Sequence, residues 1–168
     1  MIREVEGDIL LSHAQLIAHG IATHDPFDSG LALALRERFP SMVKDYRHAM
    51  RAAAPETGTI WAWRGVNEDG STRAIVNLLT QGMQSQDKSA RPVKAKLEDV
   101  NRALRALARH VQDEGIKSLA LPRLATGVGA LDWADVKPLI EQHLGTLGIP
   151  VIVYEVYRKD RKADEQLA

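Results

Sequence analysis

Cysteine is absent from the 168 residues of the chain. This absence excludes disulfide bonds, cysteine-ligated zinc and a thiol nucleophile, and it leaves the redox compartment open. Long apolar runs are also missing, because no window approaches the roughly 18 uninterrupted apolar residues of a membrane helix and the N-terminus has no apolar signal region. We therefore expect a soluble, cytoplasmic protein that makes no membrane contact.

Net charge is missing as well, since 22 Lys and Arg residues balance 22 Asp and Glu residues. A protein that binds a long polyanion through many phosphates usually has more basic than acidic residues. We therefore predict no strong nonspecific nucleic-acid binding, although a local anion site stays compatible with this balance. Neither a metal nor a cofactor is expected from the sequence.

The residues that are present suit one compact domain, with 45% hydrophobic and 26% charged residues. Five or six short segments are typical of strands: IREV, AQLIAHGIA, TIWAWRG, RAIVNLLT, KSLALP and PVIVYEVY. TIWAWRG and RAIVNLLT are separated by turn residues and are expected to pair antiparallel. The later elements alternate between strand and helix, which favours a three-layer α/β/α fold with a central mixed sheet.

Three helical stretches separate these strands. The clearest contains apolar residues spaced by three and four and precedes Gly115: Leu97, Val100, Leu104, Leu107 and Val111. Another starts at Gly30 and is broken by Pro40, with Ser41 as the expected N-cap of its second half. The third runs from about Trp133 to Leu144 after Asp132, and Pro138 suggests that it begins with a separate short turn. We assign residues 1–158 to the domain and predict that the charged tail 159–168 is frayed.

The stretch ATGVGA, residues 125–130, follows the KSLALP strand and precedes a helix. In open α/β sheets, ligands bind beyond the carboxyl ends of strands, and small residues there let backbone N–H groups turn toward a phosphate. Gly127 and Gly129 could equally supply only the positive φ values that a tight connection needs. The stretch fits neither the P-loop nor the dinucleotide-binding pattern.

Two other segments are candidates for the same site. LIAHGIA runs through a polar stretch into the helix start at Gly30, a second exposed helix N-terminus after a strand. His19 and His24 in this segment could bind a ligand or could be an ordinary hydrogen-bonded residue and a solvated one. Asp8 in GDIL could organise a turn or accept a hydrogen bond from an exocyclic amine.

Together these segments resemble a macrodomain, the module that binds ADP-ribose. The resemblance rests on GDIL, LIAHGIA, SGLALALRERFP, LALPRLATGVGALDWADVKPLI and VIVYEVY, in the order and spacing of that family. It implies an ADP-ribose site in which Asp8, Ile9 and Tyr154 surround the adenine and Phe27 flanks the distal ribose. The remaining implied ligand residues lie beneath the ligand or around its diphosphate: His19, Gly20, Gly30, Leu31, Thr126, Gly127, Val128 and Gly129.

The PRLxTGVxxLDW form is similar to the branch that includes the terminal ADP-ribose glycohydrolase and the antitoxin that removes ADP-ribose from DNA. The resemblance implies hydrolysis of ADP-ribosyl adducts on acidic side chains or nucleic acid. The catalytic lysine and aspartate of that glycohydrolase correspond to Gln81 and Gly129 here, and an asparagine of many hydrolytic members corresponds to Ala22. Gln81, Lys88 and Asp25 are therefore our catalytic candidates. A non-catalytic reader, a protein-contact module and a phosphatase of ADP-ribose 1″-phosphate are the alternatives.

Overall fold

The computed structural model describes residues 2–66, 70–83, 92–127 and 129–167. This part of the chain contains a six-stranded sheet in the order β1-β6-β5-β2-β4-β3. The strands are β1 (Ile2–Gly7), β2 (Leu16–Ala22), β3 (Ile60–Val66), β4 (Thr72–Gln81), β5 (Leu119–Pro122) and β6 (Val151–Tyr157). Every neighbouring pair is parallel except β3 and β4, which pair antiparallel as predicted.

Helices cover both faces of the sheet, which confirms the predicted three-layer α/β/α class. They are α1 (Gly30–Arg38), α2 (Pro40–Ala52), α3 (Leu97–Asp113) and α4 (Trp133–Leu144), and a short 3-10 turn spans Ile9–Leu11. Successive side chains of a strand point to opposite faces of the sheet, so the core has one part on each face. Leu119 and Leu121 of β5 face α3 and α4, whereas Ala120 between them packs with Ile17 and Ile152 on the other side. On that other side α1 and α2 pack against Ile75.

Two helix boundaries differ from the sequence prediction. Helix α2 begins at Pro40 with Phe39 as N-cap, so the N-cap predicted at Ser41 is wrong. Proline suits the first helical position because its φ is preset and it has no N–H group to satisfy. Helix α4 is continuous through Pro138, so the predicted separate turn is also wrong. Its buried face of Val136, Ile140 and Leu144 offsets the one helical hydrogen bond that Pro138 cannot make.

The charged C-terminal segment packs against the domain, although the sequence predicts that it frays. Glu165 is only 7% exposed. Its carboxylate accepts hydrogen bonds from the Ser12 hydroxyl, the His13 backbone N–H at 2.9 Å and the Tyr154 hydroxyl at 2.8 Å. A buried carboxylate is tolerated when donors surround it, and composition alone does not reveal such donors.

The same segment also covers the end of β1. The Asp8 N–H donates to the Arg161 carbonyl at 2.7 Å, and the Asp160 N–H donates to Asp8 Oδ2 at 2.9 Å. Gly7 allows this approach, since a Cβ there would lie 2.9 Å from Ala163 and its φ is +156°. Residues 158–167 therefore belong to the folded unit. No helix among the described residues is long and apolar enough to cross a membrane.

Candidate functional site

A cleft of about 940 Å³ opens where β2, β4 and β5 end. One wall is the loop from β2 to α1, and the other is the loop from β5 to α4. This volume lies in the range of small-molecule sites, and the position follows the rule for ligands at open α/β sheets. The predicted site residues that line it are His19, Gly20, Asp25, Gly30, Leu31, Gln81, Gly127 and Gly129.

The N-terminus of α1 points into this cleft. Ser29 precedes the helix in an extended conformation, and its side chain makes no capping hydrogen bond. The bond from the Leu33 N–H to the Ser29 carbonyl, 3.1 Å, is the first of the helix, so the N–H groups of Gly30 and Leu31 have no intrahelical acceptor. Gly30 has a φ of +57°, which favours glycine. This arrangement suits an anion.

The two glycines of the opposite loop have different surroundings. A Cβ on Gly127 would meet nothing within 4 Å, so this glycine leaves open space on the cleft side. A Cβ on Gly129 would lie 2.6 Å from the Ala125 carbonyl and 2.9 Å from Gln81 Oε1. Left-handed backbone in this loop is found at Ala125 (φ 59°) and Ala130 (φ 61°). Non-glycine residues in that region carry strain, which proteins tend to retain at functional sites.

Gln81 ends β4 at a distorted part of the sheet. It pairs with Ala22 of β2 just after a register shift, and the Thr23 N–H donates to its carbonyl at 2.9 Å. The Gln81 side chain is 6% exposed, and its Oε1 accepts a hydrogen bond from the Thr80 hydroxyl at 3.1 Å. The amide nitrogen is then the end of the side chain that can donate to a ligand or a water molecule.

Asp25 is the acidic group placed deepest in the first loop. Its Oδ1 accepts from the Phe27 N–H at 2.8 Å, and its Oδ2 accepts from the Ala22 N–H at 3.2 Å. Burial raises the pKa of Asp25, and the nearby charge of Asp28 raises it further, while these two backbone donors act in the opposite direction. A carboxyl whose pKa moves toward neutrality can exchange a proton under working conditions.

His19 lies on the cleft floor but is bound within the core. Its Nε2 is 2.5 Å from Asn77 Oδ1, and the Asn77 amide nitrogen donates to the Trp61 carbonyl. Because the Asn77 oxygen must accept, we assign the proton of the neutral imidazole to Nε2. Burial lowers the pKa of His19 to about 4. The ring of Phe27 packs edge-on against His19 and Tyr46.

Phe27 and Thr126 are predicted ligand residues that do not line the open cleft. Phe27 is fully buried, so it supports the loop from below and does not present a face to the distal ribose. Thr126 donates its hydroxyl to the Arg123 carbonyl at 3.0 Å. Val128 and the catalytic candidate Lys88 lie outside the described residues.

The residues expected around adenine form a covered cluster. Asp8 and Ile9 are 4% and 2% exposed, and Asp8 Oδ1 accepts from the Leu10 N–H while its Oδ2 accepts from Asp160. Tyr154 donates to Glu165. The C-terminal segment therefore covers this end of the site.

Arg123 is a cleft residue that the sequence analysis did not predict as a ligand contact. Its guanidinium is 5.1 Å from the ring centroid of Trp133, and its Nη2 is 3.3 Å from Glu155 Oε2. Its Nε is buried and has no hydrogen-bond partner among the described residues. A buried guanidinium N–H is costly without an acceptor, and this nitrogen is covered by protein atoms and not open to the cleft. In the sequence, Arg123 is marked by its place directly after Pro122, within the PRLxTGVxxLDW form.

Comparisons with known proteins identify the family. The family model described as Macro domain matches residues 19–140. A DNA ADP-ribosyl transferase-DNA ADP-ribosyl glycohydrolase fusion protein of Thermosipho africanus is 29% identical over an alignment of 171 residues. The alignment covers 98% of this chain and 44% of that protein. The chain spans less than half the length of the curated relatives it matches first.

Solved structures share the fold of this chain. The macrodomain of Thermus aquaticus DarG superposes with a TM-score of 0.73 at 26% identity, over 92% of this chain and 98% of that one. Thermosipho africanus DarTG in complex with ADP-ribose superposes with a TM-score of 0.76 at 24% identity, over 96% of this chain and 42% of that one.

Proposed function

The chain belongs to the macrodomain family, and on that premise we propose that its cleft binds ADP-ribose and hydrolyses ADP-ribosyl adducts on acidic side chains or nucleic acid. The observation that best supports this proposal is the pair of open backbone segments across one cleft. The uncapped start of α1 at Gly30 lies on one wall, and Gly127 lies on the other. Such a pair suits a diphosphate, which needs N–H donors from both sides.

Under this proposal the diphosphate lies between the N–H groups of Gly30 and Leu31 and the loop around Gly127. Arg123 also lines the cleft from the β5 side, and its positive charge favours the diphosphate. Asp28 and Ser29 also line the cleft beside the diphosphate. A carboxylate there weakens anion binding unless it points outward.

We place the adenine beside Asp8, which does not itself line the open cleft. An ionised carboxylate has about four lone-pair sites, and two on Asp8 hold backbone donors, so it retains the capacity to accept from an exocyclic amine. Asp8 is nevertheless covered by the turn that contains Asp160 and Arg161. The adenine must therefore fit against this turn or displace it.

The chemistry we propose is water attack at the anomeric carbon of the distal ribose. The bond from that carbon to the acceptor breaks through an oxocarbenium-like transition state, and a bond to the water oxygen forms. Asp25 takes the proton that the water releases, supported by its raised pKa. The Gln81 amide orients the water. A carboxylate acceptor leaves as its anion, whereas a nucleobase nitrogen leaves with a proton, which the protonated Asp25 returns to it.

A non-catalytic reader of ADP-ribose is the second candidate. It is favoured by Gln81 and Gly129, which stand where the related glycohydrolase is expected to have a lysine and an aspartate. An amide is too weak a base to activate water alone, so the difference between the two functions rests on Asp25.

Two measurements separate these functions. Calorimetric titration with ADP-ribose tests binding, and loss of label from a glutamate-ADP-ribosylated protein or an ADP-ribosylated oligonucleotide tests hydrolysis. Heat together with release of label supports the hydrolase. Heat with the label retained at stoichiometric protein supports the reader, and no heat contradicts both. Action in the cytoplasm stays a prediction from the sequence.

A further inference from the structure

Helix α2 has one strongly basic face beside the cleft. Lys44, Arg47, His48 and Arg51 are exposed and follow the i, i+3, i+4, i+7 spacing of a single helical stripe. We call these four residues the basic face of α2. Among the described residues, none of its lysine or arginine side chains takes part in an ion pair. This concentration of cations stands out in a chain whose overall charge is zero.

The basic face is continuous with the candidate active site. A second cavity, about 340 Å³, is lined by His24, Asp25, Arg47 and Arg51. Asp25 and Pro26 line both this cavity and the cleft. Arg47 also reaches the intervening loop, since its Nη2 lies 3.5 Å from the Pro26 carbonyl. A chain attached to the anomeric carbon near Asp25 would leave the cleft next to these arginines.

We propose that the basic face of α2 binds the phosphodiester backbone of the nucleic-acid strand that carries the ADP-ribosyl group. This proposal rests on the proposed function, because it names the acceptor at the same site. Neighbouring cations on a helical stripe are about 5–6 Å apart, which is comparable with one to two nucleotides along a strand at roughly 3.4 Å each. Arginine suits phosphate because its planar fork can donate two hydrogen bonds at once.

The surface fits a phosphate chain better than a protein partner. Stable protein interfaces are built around buried aromatic or aliphatic anchors. The large exposed apolar residues among the described ones are Val66, Val93, Leu97 and Tyr157, and none belongs to α2. Three permanent cations also agree with the neutral overall charge, because they support weak, local phosphate contacts without strong nonspecific binding.

The test compares two double charge reversals. The variant Arg47→Glu/Arg51→Glu alters the basic face, and the control Arg105→Glu/Arg109→Glu makes the same change on exposed positions of α3, across the sheet. The probes are fluorescein-labelled single-stranded DNA and RNA 12-mers, each with and without one ADP-ribosyl group. An ADP-ribosylated acidic peptide and free ADP-ribose complete the set.

We expect Arg47→Glu/Arg51→Glu to weaken binding of the ADP-ribosylated 12-mers about tenfold at low salt, and the α3 control to change it less than twofold. For the unaltered protein, log Kd should rise with log salt concentration with a slope of about 2, since three cations meet a single strand. Loss on DNA alone or RNA alone identifies the strand. Free ADP-ribose should bind both variants equally.

Unchanged binding of both oligonucleotides by Arg47→Glu/Arg51→Glu would overturn the proposal, and so would a loss confined to the acidic peptide. The unmodified 12-mers keep the two proposals separable. If the unaltered protein does not bind ADP-ribose but Arg47→Glu/Arg51→Glu weakens binding of the unmodified strands, the proposed function fails, and with it the ADP-ribosylated acceptor, while the basic face of α2 remains a phosphate-binding surface. If the unaltered protein binds ADP-ribose and Arg47→Glu/Arg51→Glu binds the strands as tightly as the unaltered protein does, only the surface assignment fails.

Discussion

The Gln81 side chain occupies the space that a side chain at position 129 would need. Gln81 Oε1 lies 2.9 Å from the position that a Cβ on residue 129 would take. The same Cβ would lie 2.6 Å from the Ala125 carbonyl. The glycine at position 129 therefore allows the glutamine at position 81 to adopt its hydrogen bond to Thr80. The two residues that stand where the resemblance implies a catalytic lysine and aspartate are thus physically linked.

We predict that Gly129→Ala destabilises the domain by about 1–3 kcal/mol, because the added methyl group must displace backbone. Denaturant unfolding measures the change. Gly127→Ala is the matched control, since its methyl group enters open space, and it should change the free energy of unfolding by less than about 0.5 kcal/mol. Equal effects at the two positions would contradict the different surroundings of these glycines.

Gly127→Glu should abolish ADP-ribose binding. The new side chain fills the open space beside Gly127 and places a negative charge beside the diphosphate. We therefore expect the Kd of ADP-ribose to rise at least about hundredfold in calorimetry. Gly127→Gln separates bulk from charge and should bind better than the glutamate variant. Unchanged affinity in Gly127→Glu would show that the diphosphate lies elsewhere.

Asp25→Asn should lower kcat at least about hundredfold while changing the Kd of ADP-ribose less than threefold. In the unaltered protein, kcat should fall as the pH drops through the raised pKa of Asp25, because the base is then protonated. This acidic limb should disappear in the asparagine variant. A variant that retains full kcat would remove Asp25 from the mechanism.

The buried His19 makes stability dependent on pH. Its pKa in the fold is about 4, against 6.5 unfolded, so between these values the unfolded chain binds more protons. The stabilising contribution is complete above pH 6.5 and is lost as the pH falls toward 4. We expect a loss of about 2 kcal/mol from this residue between pH 7 and pH 5. His19→Gln retains a donor to Asn77 and should show a flatter dependence in denaturant unfolding.

Glu165→Ala tests whether the C-terminal segment is part of the fold. The change removes the acceptor of the Ser12 and Tyr154 hydroxyls and should destabilise the domain by about 2 kcal/mol, measured by thermal unfolding. Glu165→Gln keeps an acceptor oxygen and should lose less. Asp164→Ala, an exposed neighbour, should have little effect. If all three variants melted at the same temperature as the unaltered protein, the segment would not contribute to stability.

The fold was predictable from sequence because its signals are local and periodic. Spacings of three and four define α3, and turn residues between β3 and β4 correctly predict their antiparallel pairing. Helix α4 was harder. Pro138 acts locally against a helix, but the burial of Ile140 and Leu144, which keeps the helix continuous, depends on residues distant in sequence.

The candidate site was predictable in position more than in detail. Chain order placed Gly30 and Gly127 at strand ends, where the structure brings both into one cleft. The exposure of a side chain depends on packing from all sides, so the burial of Phe27 could not be read from a polar loop. The unpartnered Nε of Arg123 and the donors around Glu165 likewise arise only in three dimensions.

The pairing of β1 with β6 has a mechanical consequence. The two strands run parallel, with Ile2 opposite Val151 and Gly7 opposite Tyr157. A force that pulls Ile2 away from Tyr157 therefore loads the ladder between these strands in shear, so its hydrogen bonds resist together. The segment after Tyr157 folds back to Arg3, whose Nε donates to the Asp164 carbonyl, and it would peel away first at low force. Stretched by its ends, the molecule should uncover Asp8 before the sheet yields.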